Sequence, residues 1–272
     1  MIFYFTGTGN TRFIASRLAD ATGDRLVSIA QAVVNGEYAY SLDAGERVGF
    51  CFPVHGWRPP FIVRDFIKRL SLSGYDVNSF CYAFATCGDD VGLTFDYLAD
   101  DLSSAGIKLD SVFSVIMPET YNFPLIDQVD TPQSARLKIA AAITQLDGMI
   151  PEIVQRHRGV RNFNKSRWPR INSRLLGSFF VKHWVTDAKF TVDAAACRRC
   201  GKCSEVCPVG NVATRDKGVP QWLHNGLCTT CFACYHHCPA HAIDFAGRTR
   251  GKRQYFFQTA FLPAAQIEKT DS

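Results

Sequence analysis

Two cysteine runs, CRRCGKCSEVCP from Cys197 to Pro208 and CTTCFACYHHCP from Cys228 to Pro239, set the tightest limit on how this chain can fold. Each has the form C-x-x-C-x-x-C-x-x-x-C-P, and the other three cysteines, Cys51, Cys81 and Cys87, are scattered over the preceding 190 residues. The segment around the runs, about Phe190 to Gly247, is too short for a large core of its own, so its fold depends on what its thiols bind.

Two-residue spacings let a tight backbone turn present three successive thiolates to one centre while the amides face inward, and the fourth thiolate then points away. A single zinc ion also accepts four cysteines, but zinc sites pair two C-x-x-C knuckles separated by roughly a dozen residues or more. A tripled knuckle repeated with C-P suits iron–sulfur cubes better. The pattern resembles that of bacterial ferredoxins, in which the fourth cysteine of each run ligates the other cluster. Carried onto this chain, that resemblance implies two [4Fe-4S] clusters, one held by Cys197, Cys200, Cys203 and Cys238, the other by Cys228, Cys231, Cys234 and Cys207. His236 and His237 lie inside the second run, which already supplies its thiolates. They are expected at the surface or beside the ligands, not on iron.

From the start to about Gln155 the texture is different. Apolar runs of strand length (1–5, 25–29, 47–54, 80–87 and 111–118) alternate with helix-period stretches at 10–21, 61–70, 93–102 and 131–154. Nearly continuous apolarity marks strands covered on both faces, hence an α/β domain with a doubly wound parallel sheet. Between the first strand and the first helix lies TGTGNT, Thr6 to Thr11. Such a loop puts free amides and the positive end of a helix at the carboxyl edge of the sheet, where anions bind. Neither the nucleotide-triphosphate loop nor the dinucleotide G-x-G-x-x-G is present.

TGTGNT resembles the FMN-phosphate loop of flavodoxins, whose sheet runs 2-1-3-4-5 with the flavin at the switch point between strands one and three. The resemblance implies that Thr6, Thr8, Gly9, Asn10 and Thr11 hold the phosphate, that Pro53, His55, Gly56 and Trp57 lie near the ring, and that Thr86, Cys87, Gly88 and Asp89 close it from the next loop. Trp57 and Tyr121 are candidate covers for the flavin, core packing being the alternative for Trp57, while Cys51 and Cys81 read as inert core thiols. Taken together, the chain resembles flavodoxin-ferredoxin fusions found in anaerobes, over about 1–155 and 190–250.

Between these two regions, 156–189 reads as a basic connector with no obvious strand, and 251–272 as a tail that packs back on the body. Of the formal net charge of +5, eight Lys or Arg lie between Glu152 and Asp187 with no acid among them. The connector could dock an acidic redox partner, or touch nucleic acid or a membrane; its apolar stretch LLGSFFVKHWV could lie as an interfacial helix, but it is expected to pack internally. Without a nucleic-acid reading motif, a membrane-span run or a leader, the expectation is a cytoplasmic protein that passes electrons between low-potential redox partners. The alternative is an FMN-dependent reductase of a small molecule such as a quinone or activated alkene. An iron–sulfur sensor or nucleic-acid binder is the remaining class.

Overall fold

The structure is a computed structural model that describes residues 1–123, 126–127, 129–215 and 218–263. The apolar runs form five parallel strands, β1 (Ile2–Tyr4), β2 (Leu26–Ser28), β3 (Val48–Pro53), β4 (Cys81–Cys87) and β5 (Ser111–Ile116). In the sheet their order is β2-β1-β3-β4-β5, every neighbouring pair parallel. β3, β4 and β5 are buried along almost their whole length, as strands covered on both faces must be.

The covering helices account for that burial. On one face α1 (Asn10–Thr22) and α5 (Pro132–Val154) place Ile14, Leu18, Ile139, Ile143 and Leu146 against Phe84, Phe113 and Val115. On the other, α2 (Ile29–Asn35), α3 (Phe61–Arg69) and α4 (Thr94–Ser104) press Ile62, Phe66, Leu98 and Leu102 onto Phe3, Phe50 and Phe52. α5 starts as its sequence suggests: the Thr131 side chain accepts from the amide of Ser134 and a proline opens the first turn.

The connector departs from expectation in two ways. Arg161–Asn162 forms a sixth parallel strand, β6, on the edge beyond β5. Its two exposed residues carry no alternation that would mark a strand; what fixes it is tertiary, with Ser114 Oγ accepting from the Asn164 amide at 2.8 Å and donating to Asn164 Oδ1 at 2.9 Å. A π-helical turn at Ile171–Leu176 then runs into α6 (Gly177–Trp184). Only one side of this helical unit packs internally, through the buried Ser173 and Gly177, whereas Leu175, Leu176 and Phe179 stay exposed. The expected internal packing of LLGSFFVKHWV is therefore corrected for its outer face.

The cysteine-rich module pairs β7 (Phe190–Val192) with β10 (Ile243–Phe245) and β8 (Val212–Ala213) with β9 (Gln221–Trp222), all antiparallel. Two single-turn helices, α7 (Lys202–Glu205) and α8 (Ala233–His236), carry Cys203 and Cys234, and the other cysteines lie in the loops beside them. Its small core is aromatic: Phe190, Phe232, Tyr235 and Phe245. After it the chain turns back over the α/β domain, where Phe257 stacks on Phe13 at 4.6 Å and its amide donates to the Thr8 carbonyl at 2.8 Å. The end of the expected tail, 264–272, lies outside the described residues.

Candidate functional site

The two cysteine runs adopt the same backbone. Arg199 and Gly201 in the first are matched by Thr230 and Phe232 in the second, all left-handed, and after each proline Gly210 is matched by His241. The amide of Asn211 reaches Cys207 Sγ at 3.2 Å, and the amide of Ala242 reaches Cys238 Sγ at 3.3 Å. A left-handed phenylalanine is strained by about 1–3 kcal/mol. Phe232 is held there because its ring is buried among Phe190, Tyr235 and Phe245, with Tyr121 edge-on at 5.5 Å.

This repeat brings the fourth cysteine of each run to the other one. Cys238 lines a small open hollow together with Cys197, Cys200 and Cys203. Cys207 lines a second with Cys228, Cys231 and Cys234. Four thiols line each space, and among the described residues no group of three or more His, Cys, Asp or Glu is arranged to hold a metal ion. The surroundings differ. The first cavity is edged by Arg198, Arg199 and Lys202 with Cys200 exposed; the second is walled by Phe190, Trp222 and Phe232. Burial pushes the free thiols up, Cys203 and Cys231 to about 11 and Cys228 to about 12, so metal binding must displace their protons.

In the α/β domain the loops singled out in the sequence lie at the carboxyl ends of β1, β3 and β4, which are neighbours in the sheet. α1 starts from Gly9 in the left-handed region with no side-chain cap. Thr6 Oγ1 accepts from the Gly9 amide at 3.1 Å, Thr8 is buried, and Thr11 Oγ1 meets Thr86 Oγ1 at 2.7 Å. Asn10 is fixed at both ends of its amide, donating to the Pro118 carbonyl at 3.0 Å and accepting from Tyr255 Oη at 2.8 Å.

Pro53 ends β3, and the turn after it is closed by the His55 amide donating to the Arg58 carbonyl. Trp57 in that turn is left-handed and packs against Gly92. Gly56 lies under Phe180 and Gly177 of α6, and Arg58 bonds the Ser173 carbonyl and Ser178 Oγ. Cys87 is buried, its thiol pushed up to about 12 by desolvation and turned toward the carbonyls of Asp89 and Val115. Asp89 is exposed, and Gly88 leaves room for Glu119, a half-buried carboxyl held by the amides of Thr120 and Tyr121. Nothing in the sequence marks Glu119, since only the tertiary packing partly buries it.

Desolvation holds His55 down at about 4, against 6.5 when solvated. A histidine whose folded value is depressed contributes stability that is complete above about pH 6.5 and lost as the pH falls toward 4. Over that window the denaturant midpoint of the native protein is expected to fall, and His55→Gln to flatten its own share of the slope; an unchanged slope would contradict a desolvated neutral imidazole.

The cysteine module meets the α/β loops directly. A Cβ on Gly7 would stand 2.6 Å from Cys231 Cβ and 3.3 Å from its Sγ. His236, expected at the surface or beside the ligands, is buried: its Nδ1 accepts from the Tyr255 amide at 3.1 Å, so its Nε2 carries the proton and donates to the Thr120 carbonyl at 2.6 Å. His237 bonds the Ala233 carbonyl and stacks on Phe256 at 4.0 Å. Cys51 and Cys81 are fully buried strand residues whose thiols desolvation raises far out of reach.

Comparison with known proteins bears on the cysteine module alone. Residues 189–239 match a family described as 4Fe-4S dicluster domain, which supports iron–sulfur binding by this segment and points to electron transfer. No curated protein matches the chain. Among solved structures, one described as "The Structure of Trp Repressor Binding Protein from Bacillus subtilis" matches with a TM-score of 0.29 and 10% identity, over 52% of this chain and 95% of that one. A likeness that weak carries no argument. Among the described residues no helix is long and apolar enough to cross a membrane. The chain joins a six-stranded parallel α/β domain to a cysteine-rich segment that matches, over residues 189–239, the family described as 4Fe-4S dicluster domain.

Proposed function

We propose that this chain is a cytoplasmic electron-transfer protein of flavodoxin-ferredoxin type, with two [4Fe-4S] clusters in its cysteine module and FMN at the loops of its α/β domain. The observation that carries this reading is the division of the eight cysteines into two rings of four, each completed by the fourth cysteine of the other run. The contact of Cys231 with Gly7 supports the link between the two halves, because it places a ligand of the second ring on the loop proposed for the FMN phosphate.

The loop fits a phosphate in its donor chemistry. α1 begins without a side-chain cap, so its first-turn amides at Asn10 and Thr11 face the loop with the positive end of the helix. The hydroxyls of Thr6 and Thr8 stand beside them. The side chains of Asn10, Thr11 and Thr86 hold the loops to one another and to the tail, so their part is to shape the cradle. Pro53, His55, Gly56, Trp57, Cys87, Gly88 and Asp89 belong to the two loops that would flank the ring. Bound FMN would supply a carrier of electron pairs beside clusters that pass electrons singly.

Transfer between redox proteins is favoured over reduction of a small molecule because α6 covers the loop at Gly56 with Phe180 and Gly177, while Cys200 is exposed among Arg198, Arg199 and Lys202. An acidic redox protein would meet the module there.

Anaerobic reconstitution with iron, sulfide and FMN tests the reading. The protein is expected to hold about eight irons and one flavin, and Thr8→Glu to lose most of the flavin while keeping the iron, since a carboxylate beside the phosphate repels it. Flavin content unaltered by that change, or none in the parent, would remove FMN from the proposal without touching the clusters.

A further inference from the structure

The outer face of the connector has no part in that reading. Trp168, Ile171, Leu175, Leu176 and Phe179 are 58, 52, 67, 48 and 57% exposed, while Ser173 and Gly177 on the other side are buried. Single exposed apolar residues need no explanation, but four on one short helical unit, with Trp168 just before it, do. The grouping follows from backbone geometry. In the π turn, where bonds run from i to i+5, Leu175 and Leu176 both come round to the side of Ile171; the next turn adds Phe179.

Cations surround this stripe. Arg167, Arg170, Arg174 and Lys182 are all exposed, and the sequence holds no acid between Glu152 and Asp187 to neutralise them. The Arg167 guanidinium lies 5.7 Å from the Trp168 ring.

We propose that this face, from Arg167 to Lys182, is a binding surface for anionic lipid, with Trp168, Leu175 and Phe179 entering the boundary between headgroups and acyl chains and the flanking cations meeting the phosphates. An apolar stripe hemmed by Lys and Arg, with Trp and Phe in it, is the composition of helices that lie in a membrane interface. The negative surface potential of anionic lipid draws each nearby cation. A second copy of the chain would bring like charges together, so self-association does not satisfy the same face. Attachment is peripheral, since no described helix spans. The inner side of the same unit bears on Gly56 and Arg58, so bound lipid would lie about one helix diameter, 10–12 Å, from that loop. The inference does not rest on FMN.

Sedimentation of the reconstituted full-length protein with vesicles tests it. Binding to equimolar phosphatidylglycerol and phosphatidylcholine is expected to be at least about tenfold tighter than to phosphatidylcholine alone, and to weaken with added salt. The double changes Leu175→Glu with Phe179→Glu, and Arg170→Glu with Arg174→Glu, each lower it by at least about tenfold. Because these side chains are exposed, iron content and circular dichroism stay unchanged and separate lost binding from lost folding. Equal binding to both vesicle types, no binding, or binding indifferent to the apolar changes overturns the proposal. Capture of an acidic redox protein by this face without vesicle binding overturns it too.

Discussion

Replacing Cys207 with serine is expected to strip iron from the cavity built by the second run, and replacing Cys238 to strip it from the cavity built by the first. Each cysteine sits in the sequence with its own run but lines the other run's cavity. A serine hydroxyl keeps the shape and removes the thiolate, so in the proposed two-cluster arrangement one cube would lose a quarter of its protein ligands while the other would keep all of them. Each variant should therefore lose roughly half of the iron and acid-labile sulfide of the parent. The remaining half distinguishes the two: with Cys207 gone, what survives is the exposed site edged by Arg198, Arg199 and Lys202. Paramagnetic resonance of the reduced variants, read with a relaxing agent in solution, tells the exposed cluster from the walled one. Loss in each case confined to the nearer cavity would show that the runs do not interlock.

The second large effect is expected at Gly7. Its backbone is not left-handed, so it is not glycine for conformational reasons; what demands glycine is Cys231, whose Cβ would lie 2.6 Å from an added Cβ. Neither partner can give way by rotating a flexible end, since the contacts are a Cβ, a carbonyl and a ligand sulfur. Gly7→Val should strain the junction by about 1–3 kcal/mol, the usual range for overpacking, and push the module off the loop. Loosening there also pulls on the Tyr255 strap, which ties His236 to Asn10. The expected result is a protein with full iron content whose unfolding splits into two transitions and whose linker becomes open to protease. Wild-type behaviour in both measurements would mean that the module does not seat on this loop.

Much of this was legible in the sequence because it is written at short range. Ligand spacing is a local property, so the two cysteine runs identify an iron–sulfur segment before any fold is known. Continuous apolar runs likewise mark β3, β4 and β5, and Thr131 followed by proline marks the start of α5. β6 escaped because two exposed residues beside β5 owe their pairing to Ser114, some fifty residues away. The outer face of the connector escaped for a similar reason. LLGSFFVKHWV is apolar enough to be buried, and which side meets the body is decided by where Gly56 and Gly92 leave room.

By itself the sequence determined the class of centre: eight thiols in two matched runs, and a glycine- and threonine-rich loop entering a helix. Only the tertiary structure decided how they are joined. It laid Cys231 on Gly7, buried His236 between Thr120 and Tyr255, and left Cys200 open beside three cations. Two of these contacts, Cys231 with Gly7 and His236 with Thr120, join residues more than a hundred positions apart, and no periodicity or spacing carries them. Close packing between two separately formed modules does.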